Sequence, residues 1–280
     1  MRDIEAAAVT RAVEALCMES NTRLGEDIRA ALRRAREAES GALPRAVLDM
    51  LLENAGVAES ENLPMCQDTG FTTVFVSLGQ EIHIVGGALD EAIQAGVARG
   101  YERGFLRKSV VRDPVDRRNT GDNTPAVIYY DVVPGDTLRL TVAPKGFGSE
   151  NMGRVAMLTP ADGLAGVMDF VLDTVRRAAA NPCPPIIVGV GVGGTMDKAA
   201  LLAKQALLRP VGSSHPDPVW AERETALLHD INALNIGPAG FGGQTTALAV
   251  HILPHPTHIA GLPVAVNIGC HATRHGSVEL

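Results

Sequence analysis

No apolar run in this chain approaches the roughly 18 to 20 residues that a membrane-spanning helix needs. Basic residues are not in excess either: 25 Lys and Arg stand against 32 Asp and Glu, for a formal charge of -7. That balance gives no electrostatic reason to expect nucleic acid or an anionic membrane as partner. The first residues, Met1-Arg2-Asp3-Ile4-Glu5, carry acids where a secretory or transit peptide carries bases, so the expected location is the cytoplasm. Cysteine is scarce, with four in 280 residues, too few for a disulfide scaffold, and each must be judged by its own setting. The single tryptophan, Trp220, reads as a core or interface anchor rather than a cofactor platform. What remains is 46% hydrophobic and 20% charged, enough to bury a large core as one domain or two closely joined lobes and too apolar for disorder.

Residues 1–58 read as a helical N-terminal part and 59–280 as an α/β part with mixed sheets and packed helices. Ile4, Ala8, Val9, Ala12, Val13 and Leu16 recur at helical spacing, and Leu24, Ile28, Ala31 and Leu32 continue in a second helix. The Ser40-Gly41-Ala42-Leu43-Pro44 break precedes a third, from Arg45 to Ala55. Further helices are expected from Gly87 to Arg103, from Thr159 as N-cap to about Ala180, from Met196 to Leu207 and over 218–235. Strands are expected at Phe71–Leu78, Ile186–Val190, Thr245–Leu253 and Leu262–Val266. The runs Ala126–Val132 and Leu138–Val142, joined by Pro134-Gly135-Asp136, give a hairpin signal. Between them and the fourth helix lies a polar loop, Arg107 to Asn123, of the length that is usually functional or mobile.

Chemistry concentrates in loops. Cys66-Gln67-Asp68-Thr69 puts a thiol, an amide, a carboxylate and a hydroxyl in four consecutive positions, between Pro64 and Gly70 and just before a strand. Cys183 lies between Pro182 and Pro184 ahead of another strand, and Cys270 follows a strand and Gly269. Cys17, in an amphipathic alanine-rich helix, reads as a packing thiol. Three thiols in loops at separate strand ends suit a cluster or metal where those ends meet, unlike the paired Cys-x-x-Cys of a zinc ribbon, and three rather than four would leave one iron of a 4Fe-4S cluster open as a Lewis acid. Catalytic zinc held by the same cysteines or a histidine, and three separate buried thiols, are the other readings. Gly189-Val190-Gly191-Val192-Gly193-Gly194 fits the glycines of a dinucleotide fingerprint, which brings in a nicotinamide-dependent oxidoreductase. The acidic residue that should follow some twenty positions on is absent, so close backbone packing or approach to a small anion is the preferred account.

Taken together, Cys66-Gln67-Asp68-Thr69-Gly70, Asn119-Thr120-Gly121-Asp122-Asn123-Thr124-Pro125, Lys145-Gly146-Phe147-Gly148-Ser149-Glu150-Asn151, Pro182-Cys183-Pro184-Pro185, Gly237-Pro238-Ala239-Gly240-Phe241-Gly242-Gly243 and Gly269-Cys270 resemble the motifs of class I, iron-sulfur fumarate hydratases and the related L-tartrate dehydratases. The similarity runs in order from about residue 40 to the C-terminus. It implies a 4Fe-4S cluster on Cys66, Cys183 and Cys270, whose fourth iron takes the substrate's hydroxyl and carboxylate. It also implies substrate contacts from Gln67, Arg107, Gly146 and Gly148, and proton transfer by Asp68 with His258, for which His251, His255 and His271 are competing candidates.

The residue types suit that chemistry: a dicarboxylate needs cations and oriented amides, and loss of hydroxide from malate needs a Lewis acid and a proton donor. The resemblance further implies that the chain is an alpha subunit. A beta subunit would supply the catalytic base and further carboxylate ligands, in what is expected to be a heterotetramer. The fumarase-like form of Lys145–Asn151 favours fumarate over tartrate, with Phe147 standing where a small residue is usual.

Overall fold

A computed structural model describes all 280 residues. The chain divides into two compact units, residues 1–24, 55–147 and 274–280 in the first and residues 25–54 and 148–273 in the second.

The first unit begins with a short strand, β1 (Arg2–Glu5), which the helical reading of the N-terminus does not contain, and continues into α1 (Ala6–Thr22). The apolar face of α1, with Val9, Val13 and Cys17 at no more than trace exposure, lies against α4 (Leu89–Arg103). The approach is close because α4 carries Gly96 and Gly100 there; a Cβ on Gly100 would stand 2.7 Å from the Cys17 Cβ. Cys17 is therefore a packing thiol, and burial pushes its pKa up to about 12, which keeps it protonated.

The sheet of this unit runs β10 (Gly276–Glu279), β5 (Leu138–Lys145), β2 (Phe71–Gly79), β4 (Val127–Val133), while β1 pairs in parallel with β3 (Ile82–Val85). The expected hairpin is not formed. β2 lies between β4 and β5, parallel to the first and antiparallel to the second. β2 is the one of the three with no exposed residue, Val74 and Val76 among its buried ones, so the central position goes to the strand that is covered along its length rather than to the pair that a turn happens to join.

The second unit holds α2 (Glu26–Ala38) and the first part of α3 (Ala42–Glu61), then α5 (Phe147–Glu150, from its second residue), β6 (Arg154–Leu158), α6 (Gly163–Ala178), β7 (Ile186–Gly193), α7 (Met196–Ala206), α8 (Pro218–Ala233), β8 (Ala247–His255) and β9 (Leu262–Gly269). Thr159 is the expected cap, its N–H and hydroxyl donating to Asp162 Oδ2 at 2.7 Å each, although Pro160–Asp162 make a 3-10 turn before α6 proper. The sheet order is β6-β9-β7-β8. Every residue of β7 is buried, and a Cβ on Gly189 or Gly191 would run into the carbonyls of Ala203 and Ala199 on α7. The fingerprint-like glycines thus let a helix lie directly on a strand, which is the close backbone packing expected of them.

Candidate functional site

The Cys66 loop is fixed from several sides. Its three carbonyls in a row, those of Asp68, Thr69 and Gly70, accept hydrogen bonds from side chains distant in sequence. Arg274 Nη2 donates to Asp68 O at 2.6 Å, the Tyr101 hydroxyl lies 2.8 and 2.9 Å from Thr69 O and Gly70 O, and Asn123 Nδ2 donates to Gly70 O at 3.2 Å. Tyr101 and Asn123 are fully buried and Arg274 is 6% exposed. Buried polar groups hydrogen-bonded to a backbone hold it more rigidly than exposed ones, because the alternative is an unpaired dipole in a low dielectric. Burial also pushes the Tyr101 phenol above its ordinary pKa, so it stays a neutral donor.

The other face of the loop presents Asp68. Its Oδ1 accepts from Gly70 N at 3.0 Å and its Oδ2 from Phe147 N at 2.9 Å, so the two motifs Cys66–Gly70 and Lys145–Glu150 meet at this carboxylate. Gly146 lies close against it: a Cβ there would stand 3.1 Å from Asp68 Oδ2, so a larger residue would make the carboxylate give by a few tenths of an ångström. The Phe147 ring is half exposed and packs against Phe71, centroids 6.1 Å apart and tilted by 58°. Cys66 Sγ and Gln67 Oε1 are 3.4 Å apart, and Cys66 is half-buried. Arg107 has an exposed side chain, while its carbonyl accepts from the Thr69 hydroxyl at 3.0 Å. Asp68, Gly146, Gln67, Cys66 and the Arg107 backbone are thereby brought into one neighbourhood of the first unit.

In the second unit the loops of Cys183 and Cys270 are tied together. His271, directly after Cys270, approaches the Cys183 carbonyl through its backbone N–H at 3.3 Å and its Nδ1 at 3.0 Å. Cys183 is exposed with a left-handed φ of 55°, Cys270 is half-buried, and none of the four cysteines is in a disulfide. Gly148, also of this unit, is exposed. Neither unit alone gathers three His, Cys, Asp or Glu side chains into a metal-holding group.

His258 lines a cavity of about 380 Å³ in the second unit, together with Trp220, Arg223, Leu164 and Ile259; neither Cys183 nor Cys270 borders it. The His258 Nδ1 accepts from Ala260 N at 3.1 Å, which puts the proton of the neutral ring on Nε2. Of the competing histidines, His251 is buried on β8, His255 Nδ1 is engaged with Pro256 O at 2.8 Å, and His271 serves the Cys183 loop. Trp220 carries the Arg223 guanidinium 4.3 Å over its ring, so it anchors the cavity wall.

Sequence reasoning passes over Tyr101, Arg274 and the role of Asn123. Tyr101 shows only as an apolar position on a helix face. Asn123 alone carries a signal, as an asparagine before Thr-Pro in a turn, and its φ is indeed left-handed at 63°.

The family model described as Fumarate hydratase (Fumerase) matches residues 10–279. The chain is 41% identical to a Methanocaldococcus jannaschii protein provisionally named L(+)-tartrate dehydratase subunit alpha, over 95% of each chain. It is 34% identical to the L(+)-tartrate dehydratase subunit alpha of Escherichia coli strain K12, over 92% of this chain and 86% of that one. No helix is long and apolar enough to cross a membrane.

Proposed function

The chain belongs to the fumarate hydratase (Fumerase) family, and on that premise we propose that residues 1–280 form the alpha subunit of a cytoplasmic iron-sulfur hydro-lyase that reversibly hydrates fumarate to (S)-malate. The reading rests on one observation above all: the Asp68 carboxylate, in the loop of Cys66, is held at both oxygens by Gly70 N and by Phe147 N of the glycine-rich loop. A carboxylate fixed by backbone donors keeps its orientation while other groups exchange, which is what a proton-handling residue needs.

Cys66, Cys183 and Cys270 are the proposed ligands of a 4Fe-4S cluster. The donor set fits: these three thiols lie in loops at strand ends with at least partial exposure, whereas Cys17 is sealed in a helix interface and kept protonated. When bound, the cluster supplies a Lewis-acidic iron for the substrate's hydroxyl. The protein groups do the rest. Arg107 and the N–H groups of Gly146 and Gly148 bind carboxylate, Gln67 orients it, and Asp68 and His258 carry the proton, His258 from its Nε2–H. A beta subunit contributes the catalytic base and further carboxylate ligands, and two copies of each chain make a heterotetramer.

A second reading, dehydration of L-tartrate, is favoured by the names of the relatives. The test is to co-produce the chain with its beta subunit, reconstitute anaerobically and compare kcat/KM on malate, L-tartrate and mesaconate. A higher value on tartrate would move the substrate to the second reading. About four irons per alpha chain are expected, lost on changing Cys66, Cys183 or Cys270 to serine; a complete cluster in Cys183→Ser would refute the ligand set. Asp68→Asn and His258→Asn should lower kcat by roughly 10²- to 10⁴-fold with iron content unchanged, and Arg107→Ala should chiefly raise KM.

A further inference from the structure

Two segments of the first unit carry groups assigned above to the substrate, the loop ending at Gly70 and the stretch beginning at Arg107. One side chain reaches both. Asn123 is fully buried, its Oδ1 accepts from Ser109 N at 2.6 Å and Val110 N at 3.2 Å, and its Nδ2 donates to Gly70 O at 3.2 Å. A second tie runs beside it, from the Thr69 hydroxyl to Arg107 O at 3.0 Å. Beyond these bonds the segment folds largely on itself: Val111 bridges Asn119, Thr120 N donates to Val110 O at 2.9 Å, and Asn119 Nδ2 donates to Lys108 O at 2.8 Å.

We propose that Asn123, assisted by Thr69, is a positioning residue that sets the separation between Arg107 and Asp68 and so matches the enzyme to the length of its dicarboxylate. The inference rests on the roles proposed above for those two residues. A carboxamide is suited to the task because one planar group accepts on one side and donates on the other. Arg107 lies two residues before Ser109 and Asp68 two before Gly70, so a shift at Asn123 moves both. The side chain of Arg107 is exposed, and with four flexible torsions it holds a carboxylate in one place only if its backbone is fixed. Asn123 touches no substrate in this account; it acts through the residues it spaces.

The experiment uses the reconstituted two-subunit enzyme. Asn123→Asp keeps the acceptor facing Ser109 and Val110 but replaces the donor to Gly70 O with a second oxygen. A displacement of the order of 1 Å costs about 10²-fold in rate, so kcat/KM should fall by about that factor through a raised KM and a lowered kcat together. Thr69→Val removes only the tie to Arg107 and should raise KM about tenfold, the loss of one hydrogen bond, with little change in kcat. A residue that merely supports the fold would lower the amount of active enzyme, hence kcat, and leave KM alone; that pattern in both variants, or unchanged kinetics, overturns the proposal. If Asn123→Asp does not fold, the KM of Thr69→Val decides. Asp68→Asn and Arg107→Ala are assayed in parallel. Full activity in those two means that the assigned roles have failed, whereas impairment in them with unchanged kinetics in Asn123→Asp and Thr69→Val means that the spacing inference alone has failed.

Discussion

Lowering the pH should weaken this fold through one histidine. His251 is 1% exposed on β8, and its Nδ1 lies 3.2 Å from Ala206 O. A carbonyl can only accept, so the neutral ring carries its proton on Nδ1. The other nitrogen, Nε2, is buried with no hydrogen-bond partner. Burial first, and the nearby Arg209 guanidinium second, hold the pKa down to about 4, with Glu224 opposing. In the unfolded chain the same group titrates near 6.5. Between those values the unfolded chain binds a proton that the folded chain refuses. Stability is therefore complete above about pH 6.5, declines as the pH falls, and stops declining below about pH 4. The whole effect is about 3 kcal/mol, of which about 2 kcal/mol is lost by about pH 5. Against a total of roughly 5–15 kcal/mol for a typical domain, that is a large share. Urea unfolding of the unchanged protein and of His251→Gln, each at about pH 7.5 and about pH 5, isolates the term, since other titrating groups are common to both. The unchanged protein should lose about 2 kcal/mol more than the variant. Equal losses would show that His251 does not titrate as its surroundings dictate.

Three further changes test the packing and the buried charge. Glu224 accepts from Arg209 and from Ile252 N and is 6% exposed, so Glu224→Gln leaves a guanidinium short of its countercharge; the cost should be about 3–5 kcal/mol, a fall of roughly 10 °C in thermal midpoint by calorimetry. Gly191→Ala drives a methyl into the Ala199 carbonyl and should cost about 1–3 kcal/mol by displacing α7, whereas an unchanged midpoint would mean that the helix is not seated on β7 as described. Cys17→Ser should lower stability by about 1–3 kcal/mol while leaving the iron content of the reconstituted enzyme unchanged, and a loss of iron would make Cys17 more than a packing thiol.

Much of this protein is legible locally. The 3.6-residue recurrence of apolar side chains marks α1, α2 and α4, and the run Ile186–Val190 marks a strand covered on both faces, because those signals are carried by consecutive residues and need no partner. The loop of Cys66 and Asp68 and the glycine-rich loop at Gly146 are legible for the same reason: each is a contiguous motif. β1, β6 and β10 are not, since four or five residues show no period and exist as strands only because a partner pairs with them, as β3 does with β1 from some eighty residues on. The expected hairpin fails in the same way: a turn proposes a neighbour, but the sheet gives the middle place to the strand with no exposed residue, β2. Tertiary structure alone decided who holds the Asp68 loop. Tyr101, Asn123, Phe147 and Arg274 arrive from an α-helix, a turn, a second loop and the C-terminal segment, and hydrogen bonds between groups so distant in sequence leave no spacing to read.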